Sequence, residues 1–313
     1  MPVPEASYLK LYREGILNDR VEMAVGSLGT CKLCPRSCGV NRLSEEKGFC
    51  RTGRKAKVAS YNAHFGEESP LVGKFGSGTI FISSCNLLCS FCQNFEISHL
   101  NEGIEIEPTQ MAAIMLELQE RGCHNINFVT PTHVVPQILE ALVRAIPLGL
   151  KVPLVYNCGG YERFETIRLL EGVFDIYMPD FKFWEKTWSE RYCKAFDYRE
   201  YACRAIEEMH SQVGDLLLDE EGIARRGLLV RHLVMPEGIA GTAQIMEFIS
   251  SRISRSTYVN LMDQYRPCGS AVGDRLLGRR LNAGEYREAV DAAMNAGLTR
   301  LDRRDRPRII FSL

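Results

Sequence analysis

Three closely spaced cysteines carry the clearest chemical signal in this sequence of 313 residues. Cys85, Cys89 and Cys92, called the triad below, directly follow the apolar run Thr79–Ser83. Thiolates are soft ligands, and triads at such short spacing suit zinc or an iron–sulfur cluster. A four-iron cubane held by three cysteines leaves one iron without a protein ligand, and that iron can bind a substrate. The spacing therefore predicts a reactive cluster rather than three unrelated core cysteines.

A second group of thiols precedes the triad: Cys31, Cys34, Cys38 and Cys50, called the N-terminal cysteines below. Four thiolates can close a tetrahedral zinc site or hold an auxiliary cluster, and the spacing does not choose between them. A disulfide pair is the weaker alternative in a reducing compartment. The segment is too irregular to fold on apolar burial alone, so we expect a metal to stabilise it. The other five cysteines are scattered and are interpreted as packing residues: Cys123, Cys158, Cys193, Cys203 and Cys268.

The composition is ordinary for a globular chain, with 45% hydrophobic and 25% charged residues and a formal net charge of −1. A near-neutral chain has no global field that recruits nucleic acid or an anionic membrane, so neither partner is expected. The sequence shows no basic segment followed by an apolar one at its start, and no apolar run of about 18 residues. A cytoplasmic location is therefore the expectation.

The order of apolar and amphipathic segments predicts the fold. Nearly continuous apolar strands are typical of a parallel sheet that is covered on both faces. Six β/α units in series favour an α/β fold with a partial (β/α)6 TIM-like barrel over an open doubly wound sheet. The strands are predicted at Thr79–Ser83, Asn125–Thr130, Pro153–Asn157, Phe174–Met178, Leu228–Val234 and Tyr258–Met262. The helices are predicted at Thr109–Arg121, Val135–Ala145, Glu162–Glu171, Arg199–Gln212, Thr242–Ser254 and Leu281–Ala296.

These patterns divide the chain into three parts. Residues 1–77 are predicted to hold a helix at about Glu5–Leu17 and the small cysteine-rich metal-binding module. Residues 78–300 are predicted to form the partial barrel. Residues 301–313 are predicted to be a C-terminal tail.

Polar residues at strand ends are candidates for the site, because barrel enzymes place their chemistry at the C-terminal strand ends. Asp180 and Lys182 follow the fourth strand and face the same way in an extended chain. They are predicted to point into the pocket together, with a surface ion pair as the alternative. Arg231 lies inside the apolar fifth strand and must find a partner. A ligand carboxylate and an internal salt bridge suit it equally, whereas His232 faces the other way and is interpreted as packed.

Three other strand ends carry weaker signals. The second strand ends in Thr130–His133, where His133 either contacts a ligand or caps the next helix. The third ends in Tyr156–Gly160, whose two glycines permit close approach of the backbone to a ligand. The sixth leads into the polar run Asp263–Cys268, which is the best candidate for substrate contact.

These motifs, in this order, resemble the radical S-adenosylmethionine (radical SAM) superfamily and its branch typified by the pyruvate formate-lyase activating enzyme. More closely, the sequence resembles uncharacterised activating-enzyme-like iron–sulfur proteins. Those proteins combine an N-terminal Cys-x2-Cys-Pro-x2-Cys module with a Cys-x3-Cys-x2-Cys-Gln-Asn core. Here the two motifs span Cys31–Cys38 and Cys85–Asn94, and the likeness extends over about residues 31–300.

The resemblance implies an oxidoreductase with a 4Fe-4S cluster and S-adenosyl-L-methionine (SAM) as cofactors. The triad would ligate the cluster, and Phe91 would flank the adenine. Asp180, Lys182 and Arg231 match positions that hold the methionine moiety. A reductant such as flavodoxin or ferredoxin would be a partner. One departure is the end of the second strand, which is Thr130–His133 where the superfamily often has Gly-Gly-Glu.

Two functions of different classes remain open at this point. The first is a radical SAM enzyme that abstracts hydrogen from a protein, peptide or small molecule, with activation of a glycyl-radical enzyme as one variant. The second is a non-catalytic iron–sulfur protein that relays electrons or scaffolds a complex. A relay would need a fourth ligand for the triad, and Cys123 provides it only if folding brings it close. A zinc-dependent nucleic-acid binder is disfavoured by the near-neutral charge.

Overall fold

A computed structural model describes residues 4–302 of the chain. The described strands are β1 (Ala56–His64), β2 (Ser77–Ile82), β3 (Ile104–Ile106), β4 (Ile126–Val129), β5 (Leu154–Cys158), β6 (Ile176–Pro179), β7 (Leu217–Leu218), β8 (Ala224–Leu233), β9 (Tyr258–Met262) and β10 (Arg300–Leu301). The described helices are α1 (Ser7–Arg13), α2 (Ile16–Gly26), α3 (Ser69–Val72), α4 (Phe95–Ser98), α5 (Pro108–Glu120), α6 (Val135–Ala145), α7 (Phe164–Leu169), α8 (Lys186–Cys193), α9 (Tyr198–Val213), α10 (Thr242–Phe248) and α11 (Ala283–Asn295). Among these helices, none combines the length and the apolar character that crossing a membrane requires.

One mixed sheet forms the centre of this α/β protein. Its middle consists of parallel strands in the spatial order β2-β4-β5-β6-β8-β9. Strand β10 extends the parallel set, whereas β1 pairs antiparallel with both β2 and β3. The six middle strands confirm the six strands predicted from the apolar runs. The largest difference is at β8, which begins at Ala224 rather than at Leu228.

The two faces of the sheet are covered differently. The main hydrophobic core lies between one face and helices α2, α5, α6, α7, α9, α10 and α11. The other face carries a smaller apolar cluster that includes Val155, Met178 and Leu229. Side chains alternate along a strand, so the residues two positions further on share that face. Those residues are polar: Asn157, Asp180 and Arg231.

The N-terminal part of the chain differs from the prediction. The single helix expected at Glu5–Leu17 is instead two helices, α1 and α2, because Gly15 adopts a left-handed φ of 77° between them. The sequence also failed to predict β1, which lies within residues 1–77 and hydrogen-bonds to β2 beyond that boundary. Of the predicted tail at 301–313, residues 303–313 lie outside the described residues.

Most of the predicted helices are present with shifted ends. Helix α6 has the predicted bounds, and α5, α9 and α11 differ from prediction by one or two residues at each end. The helix predicted at Glu162–Glu171 is the shorter α7. The helix predicted at Thr242–Ser254 is α10, followed by a π-helical turn at Ile249–Ile253. These elements place the loops after the parallel strands at one edge of the sheet.

Candidate functional site

The C-terminal ends of the six middle strands open onto one cavity of about 230 Å³, called the triad cavity below. Ligand sites of open α/β sheets lie at this edge. The structure brings together here the candidates that the sequence singled out: Cys85, Cys89, Cys92, Phe91, Asp180, Lys182 and Arg231. Asn157 and Cys158, at the end of the third predicted strand, also line the cavity, although Cys158 was interpreted as a packing residue.

A charged network lies on the wall of the cavity. Arg231 Nε donates to Asp180 Oδ1 at 2.7 Å, and Lys182 Nζ donates to Asp180 Oδ2 at 2.6 Å. One carboxylate therefore joins two cations. The three side chains are only 14–16% exposed, so the alternative of a surface ion pair is wrong. Arg231 also donates through Nη2 to Asn157 Oδ1 at 2.6 Å.

The pKa values in this network follow from the pairing. Burial raises the pKa of Asp180, but the charges of Arg231 and Lys182 outweigh that effect and hold it below its usual value. Burial lowers the pKa of Lys182, but the carboxylate of Asp180 outweighs it and raises that pKa above its usual value. Both groups are therefore charged at neutral pH.

Two glutamates reach the same network from the segment between β1 and α3. Arg231 Nη1 lies 3.6 Å from the Glu67 carboxylate and 4.0 Å from the Glu68 carboxylate. The second Glu68 oxygen accepts a hydrogen bond from Asn260 Nδ2 at 2.7 Å. Arg231 therefore sits in an internal salt-bridge network, which is one of the two alternatives left open by the sequence. Sequence reasoning missed both glutamates, since nothing local in a short acidic turn points to a distant arginine.

Hydrogen-bond donors face two of the triad sulfurs. The N–H of Leu87 donates to Cys85 Sγ at 3.3 Å. Ser98 Oγ lies 3.2 Å from Cys92 Sγ and is also within reach of the Asn94 carbonyl. Burial raises the pKa of the Cys85 thiol to about 12 and raises that of Cys92 as well. Such thiols become ligands when a metal displaces their protons, and these donors then stabilise the thiolates.

A fourth thiol contacts the remaining triad sulfur. Cys193, the last residue of α8, is fully buried and lies within hydrogen-bond distance of Cys89, with the two sulfurs 3.3 Å apart. The interpretation of Cys193 as an ordinary packing residue misses this contact. Cys123, which the sequence offered as a fourth ligand, instead precedes β4 and faces the Phe75 carbonyl at the opposite edge of the sheet.

Apolar contacts shape the rest of the cavity. Phe91 is buried and packs edge-on against Phe183, with the ring centres 5.8 Å apart. Gly159 stands close to the triad loop, where a Cβ atom would lie 2.8 Å from Leu87 Cδ1. A side chain at this position would require Leu87, in the loop that carries Cys85, Cys89 and Cys92 (the triad loop), to shift. Gln264 also lines the cavity.

The weaker candidates from the sequence contribute little to the triad cavity. His133 is buried, donates through Nε2 to the Ser83 carbonyl at 2.8 Å and does not line the triad cavity. His232 is packed, as expected, between the Phe181 carbonyl and the Thr242 hydroxyl. Of the run Asp263–Cys268, only Gln264 lines the cavity.

The N-terminal cysteines surround a much smaller cavity, of about 10 Å³. Arg42 is buried beside it and donates to the His133 carbonyl at 2.8 Å, with Cys31 Sγ 3.8 Å away. The N–H of Phe49 donates to Cys38 Sγ at 3.3 Å. Gly48 leaves room for that sulfur, because a Cβ at this position would lie 2.7 Å from it. A cavity of this size accommodates about one atom-sized occupant.

Arg36, which lies between two of the N-terminal cysteines, connects them to the triad. Its Nε donates to the Asn86 carbonyl at 2.9 Å, and its Nη2 donates to the Cys193 carbonyl at 2.9 Å. Its guanidinium also stacks on Phe49, 3.9 Å from the ring centre. The Arg36 side chain therefore links the two cysteine groups, although they occupy separate cavities.

Within residues 4–302, no three His, Cys, Asp or Glu side chains are placed as the ligands of a single metal ion would be. The cysteines of a cubane bind different irons, so a cluster does not require the triad to converge on one point. The soft donors of the triad and the adjacent cavity therefore fit a cluster. At the N-terminal cysteines, a single ion requires the thiols to turn inward.

Comparison with known proteins gives one informative match. No known family model matches the sequence. An uncharacterised protein of Methanocaldococcus jannaschii is 34% identical over 295 residues, which cover 91% of this chain and 80% of that protein. Similarity at this level over nearly the whole chain is evidence of a common fold and origin. The chain therefore belongs to the same family as this uncharacterised archaeal protein.

Proposed function

We propose that the protein is a radical SAM enzyme of the activating-enzyme-like branch, with a 4Fe-4S cluster at the triad. The observation that carries this proposal is the set of side chains that line one cavity at the C-terminal ends of the strands. Three thiols at the open-iron spacing share it with the buried pair of Asp180 and Lys182. A purely structural metal site has no use for a charged cavity of about 230 Å³ beside its ligands.

The sheet supports a partial (β/α)6 barrel as the scaffold. A doubly wound sheet reverses its strand order and carries helices on both faces. Here the order β2-β4-β5-β6-β8-β9 never reverses, and the large helices pack on one face. Both features favour a sheet that curves around the small apolar cluster formed by Val155, Met178 and Leu229.

Individual residues have distinct roles in this proposal. When bound, the cluster supplies one electron that cleaves SAM and yields a 5′-deoxyadenosyl radical. Lys182 donates one hydrogen bond to Asp180, and an ammonium group has three donors, so two remain for the carboxylate of SAM. Arg231 is engaged by Asp180 and Asn157, so it positions Asp180. Phe91 closes the apolar side, where adenine would lie.

The N-terminal cysteines are proposed to hold a second metal. The small cavity favours a single zinc ion over a cluster, because a cubane is much larger than one water molecule. An auxiliary cluster remains the alternative, and it would require the surrounding loops to open. With zinc, this site would stabilise the fold and would take no part in electron transfer.

A non-catalytic iron–sulfur protein is the second candidate, and the position of a fourth thiol, Cys193, beside the triad is the observation that supports it. If the thiol of Cys193 turned away from Cys89, it could ligate the fourth iron and close the cluster. Such a protein would relay electrons or scaffold a complex. In either case the partners would include a reductant such as flavodoxin or ferredoxin, in the cytoplasm. A protein, peptide or small-molecule substrate belongs to the first candidate alone.

Anaerobic reconstitution with iron and sulfide, followed by reduction with dithionite, tests the proposal. The reduced protein should convert SAM to 5′-deoxyadenosine, measured by chromatography. The variant in which all three triad cysteines are alanine should form none, while Cys123→Ala, at the other edge of the sheet, should match the wild type. Equal yields from the wild type and the triple variant would refute the proposal. A reconstituted wild type that carries a cluster but forms no product would favour the non-catalytic protein.

A further inference from the structure

Cys193 differs from the other scattered cysteines because it touches a triad sulfur. The Cys193 and Cys89 sulfurs lie 3.3 Å apart, and both side chains are buried. A disulfide would bring them to about 2.05 Å, and both thiols are free. The separation is that of a hydrogen bond between sulfurs. The chain offers no competing acceptor for the Cys193 thiol among its described hydrogen bonds.

The position of Cys193 is fixed from two sides. The Arg36 guanidinium donates to the Cys193 carbonyl at 2.9 Å and to the Asn86 carbonyl in the triad loop at 2.9 Å. The N–H of Ser90 donates to the Tyr192 carbonyl at 2.8 Å, which ties the triad loop to the end of α8. These backbone contacts hold the Cα atom of Cys193 beside the loop that carries the triad, so its thiol lies within reach of Cys89.

This geometry suits a donor to a cluster ligand better than a fourth ligand. Two thiolates on different irons point away from each other, and two negative sulfurs at 3.3 Å would repel. A neutral thiol beside one thiolate, by contrast, donates its S–H and is attracted. Hydrogen bonds to ligand sulfurs disperse their negative charge and so make the cluster easier to reduce.

We propose that Cys193 is a positioning residue that donates its S–H to the Cys89 thiolate of the loaded triad and raises the reduction potential of the cluster. The inference rests on the proposed function, because it assumes a cluster at the triad. It adds a residue that the motif does not contain and assigns it control over how readily the site accepts the first electron.

The test is a redox titration of the reconstituted full chain in the absence of SAM. Electron paramagnetic resonance (EPR) measures the reduced cluster at each potential. Cys193→Ala and Cys193→Val remove the donor, and the valine variant avoids a cavity if alanine destabilises the fold. Cys193→Ser keeps a donor, and Cys123→Ala controls for the loss of a buried thiol. At the potential where the wild type is half reduced, the ratio of reduced to oxidised cluster should fall up to tenfold in the donor-free variants, a shift of up to ~59 mV. The serine and Cys123 variants should stay close to the wild type.

A second spectrum of each protein, taken after addition of SAM, separates the possible failures. If SAM changes the spectrum of the wild type but the clusters of the donor-free variants have the same reduction potential as the wild-type cluster, this inference is overturned and the proposed function stands. If SAM changes only the spectra of the donor-free variants, Cys193 is a fourth ligand, and both the inference and the proposed function fail. If the wild type takes up no cluster, both fail as well.

Discussion

The two cysteine groups lie close together in the fold, yet their surroundings are opposites. The triad lines a cavity of about 230 Å³ with buried charges on its wall, whereas the N-terminal cysteines surround a cavity of about 10 Å³. The first cavity therefore has room for a cofactor beside its thiols, and the second has room for an ion. The number of thiols alone would not show this difference, because it is the neighbouring side chains that set the available space.

The charged residues near the two groups of cysteines also differ. At the triad, Lys182 supplies a cation whose charge opposes the burial-induced rise in the pKa of Cys92. At the N-terminal cysteines, burial raises the pKa of the Cys34 thiol, and the charge of Glu162 raises it further. We therefore expect the cation of Lys182 to favour an anionic ligand in the triad cavity.

The largest effect should follow removal of one N-terminal ligand. If these cysteines bind a metal as proposed, Cys34→Ala should loosen the segment around Cys31–Cys50 first, because the metal would supply folding free energy of several kcal/mol. Hydrogen exchange should show lost protection in that segment while β5 stays protected. Cys203→Ala, at a half-buried thiol on α9, is the control and should leave both regions unchanged.

Metal analysis of the triad triple-alanine variant then identifies the occupant. One zinc per chain supports a structural site, whereas residual iron with sulfide supports an auxiliary cluster. If this variant carries no metal and all four N-terminal cysteines react freely with a thiol reagent, the second site does not exist.

The next effect concerns Glu162, which interacts with Cys34 of the N-terminal cysteines and with Cys158 of the triad cavity. Its carboxylate accepts hydrogen bonds from Thr132 at 2.6 Å and Tyr156 at 3.0 Å. Burial raises its pKa from 4.5 to about 7, against hydrogen bonds that lower it. The folded state therefore binds more protons than the unfolded state between these values, and stability falls as the pH rises through them.

Glu162→Gln should remove this dependence. Between pH 5 and pH 8, the free energy of unfolding of the wild type should fall by about 2.5 kcal/mol relative to the variant. Denaturant unfolding at the two pH values measures the difference, with the exposed Glu288→Gln as control. A constant difference across this range would show that Glu162 is ionised throughout.

A smaller effect is expected at the triad cavity. Lys182→Ala should weaken SAM binding by about 10- to 100-fold, because a hydrogen bond to a charged group contributes about 1.5–3 kcal/mol. Iron and sulfide content should not change, since Asp180 keeps Arg231 as a partner. Equilibrium dialysis with labelled SAM measures the affinity, and the exposed Lys186→Ala serves as control. Unchanged affinity would mean that the pair is only a structural salt bridge.

Some of this arrangement could be predicted from the sequence because it depends on local pattern. Apolar runs located the six middle strands, and the spacing of Asp180 and Lys182 placed both on one face. The alternation that puts Arg231 two residues after Leu229 on the shared face was equally visible.

The rest depends on contacts between distant segments. Cys193 is 104 residues from Cys89, and nothing near it in the sequence indicates that it meets a sulfur. Strand β1 runs antiparallel to β2, so it ends beside the first residue of β2, at the N-terminal ends of the parallel strands. Glu67 and Glu68 follow β1 and reach Arg231 from that side. Strand β1 itself was missed because most of its residues are only partly buried, so it lacks the continuous apolar run of the middle strands.

The central claim is that the triad leaves one iron open to SAM while the N-terminal site is closed. Mössbauer spectroscopy of the protein reconstituted with ⁵⁷Fe, before and after addition of SAM, tests it most directly. We predict that one iron of the four at the triad changes its spectrum when SAM binds and that any iron at the N-terminal cysteines does not. Four triad irons that all keep their spectra in the presence of saturating SAM would contradict the account.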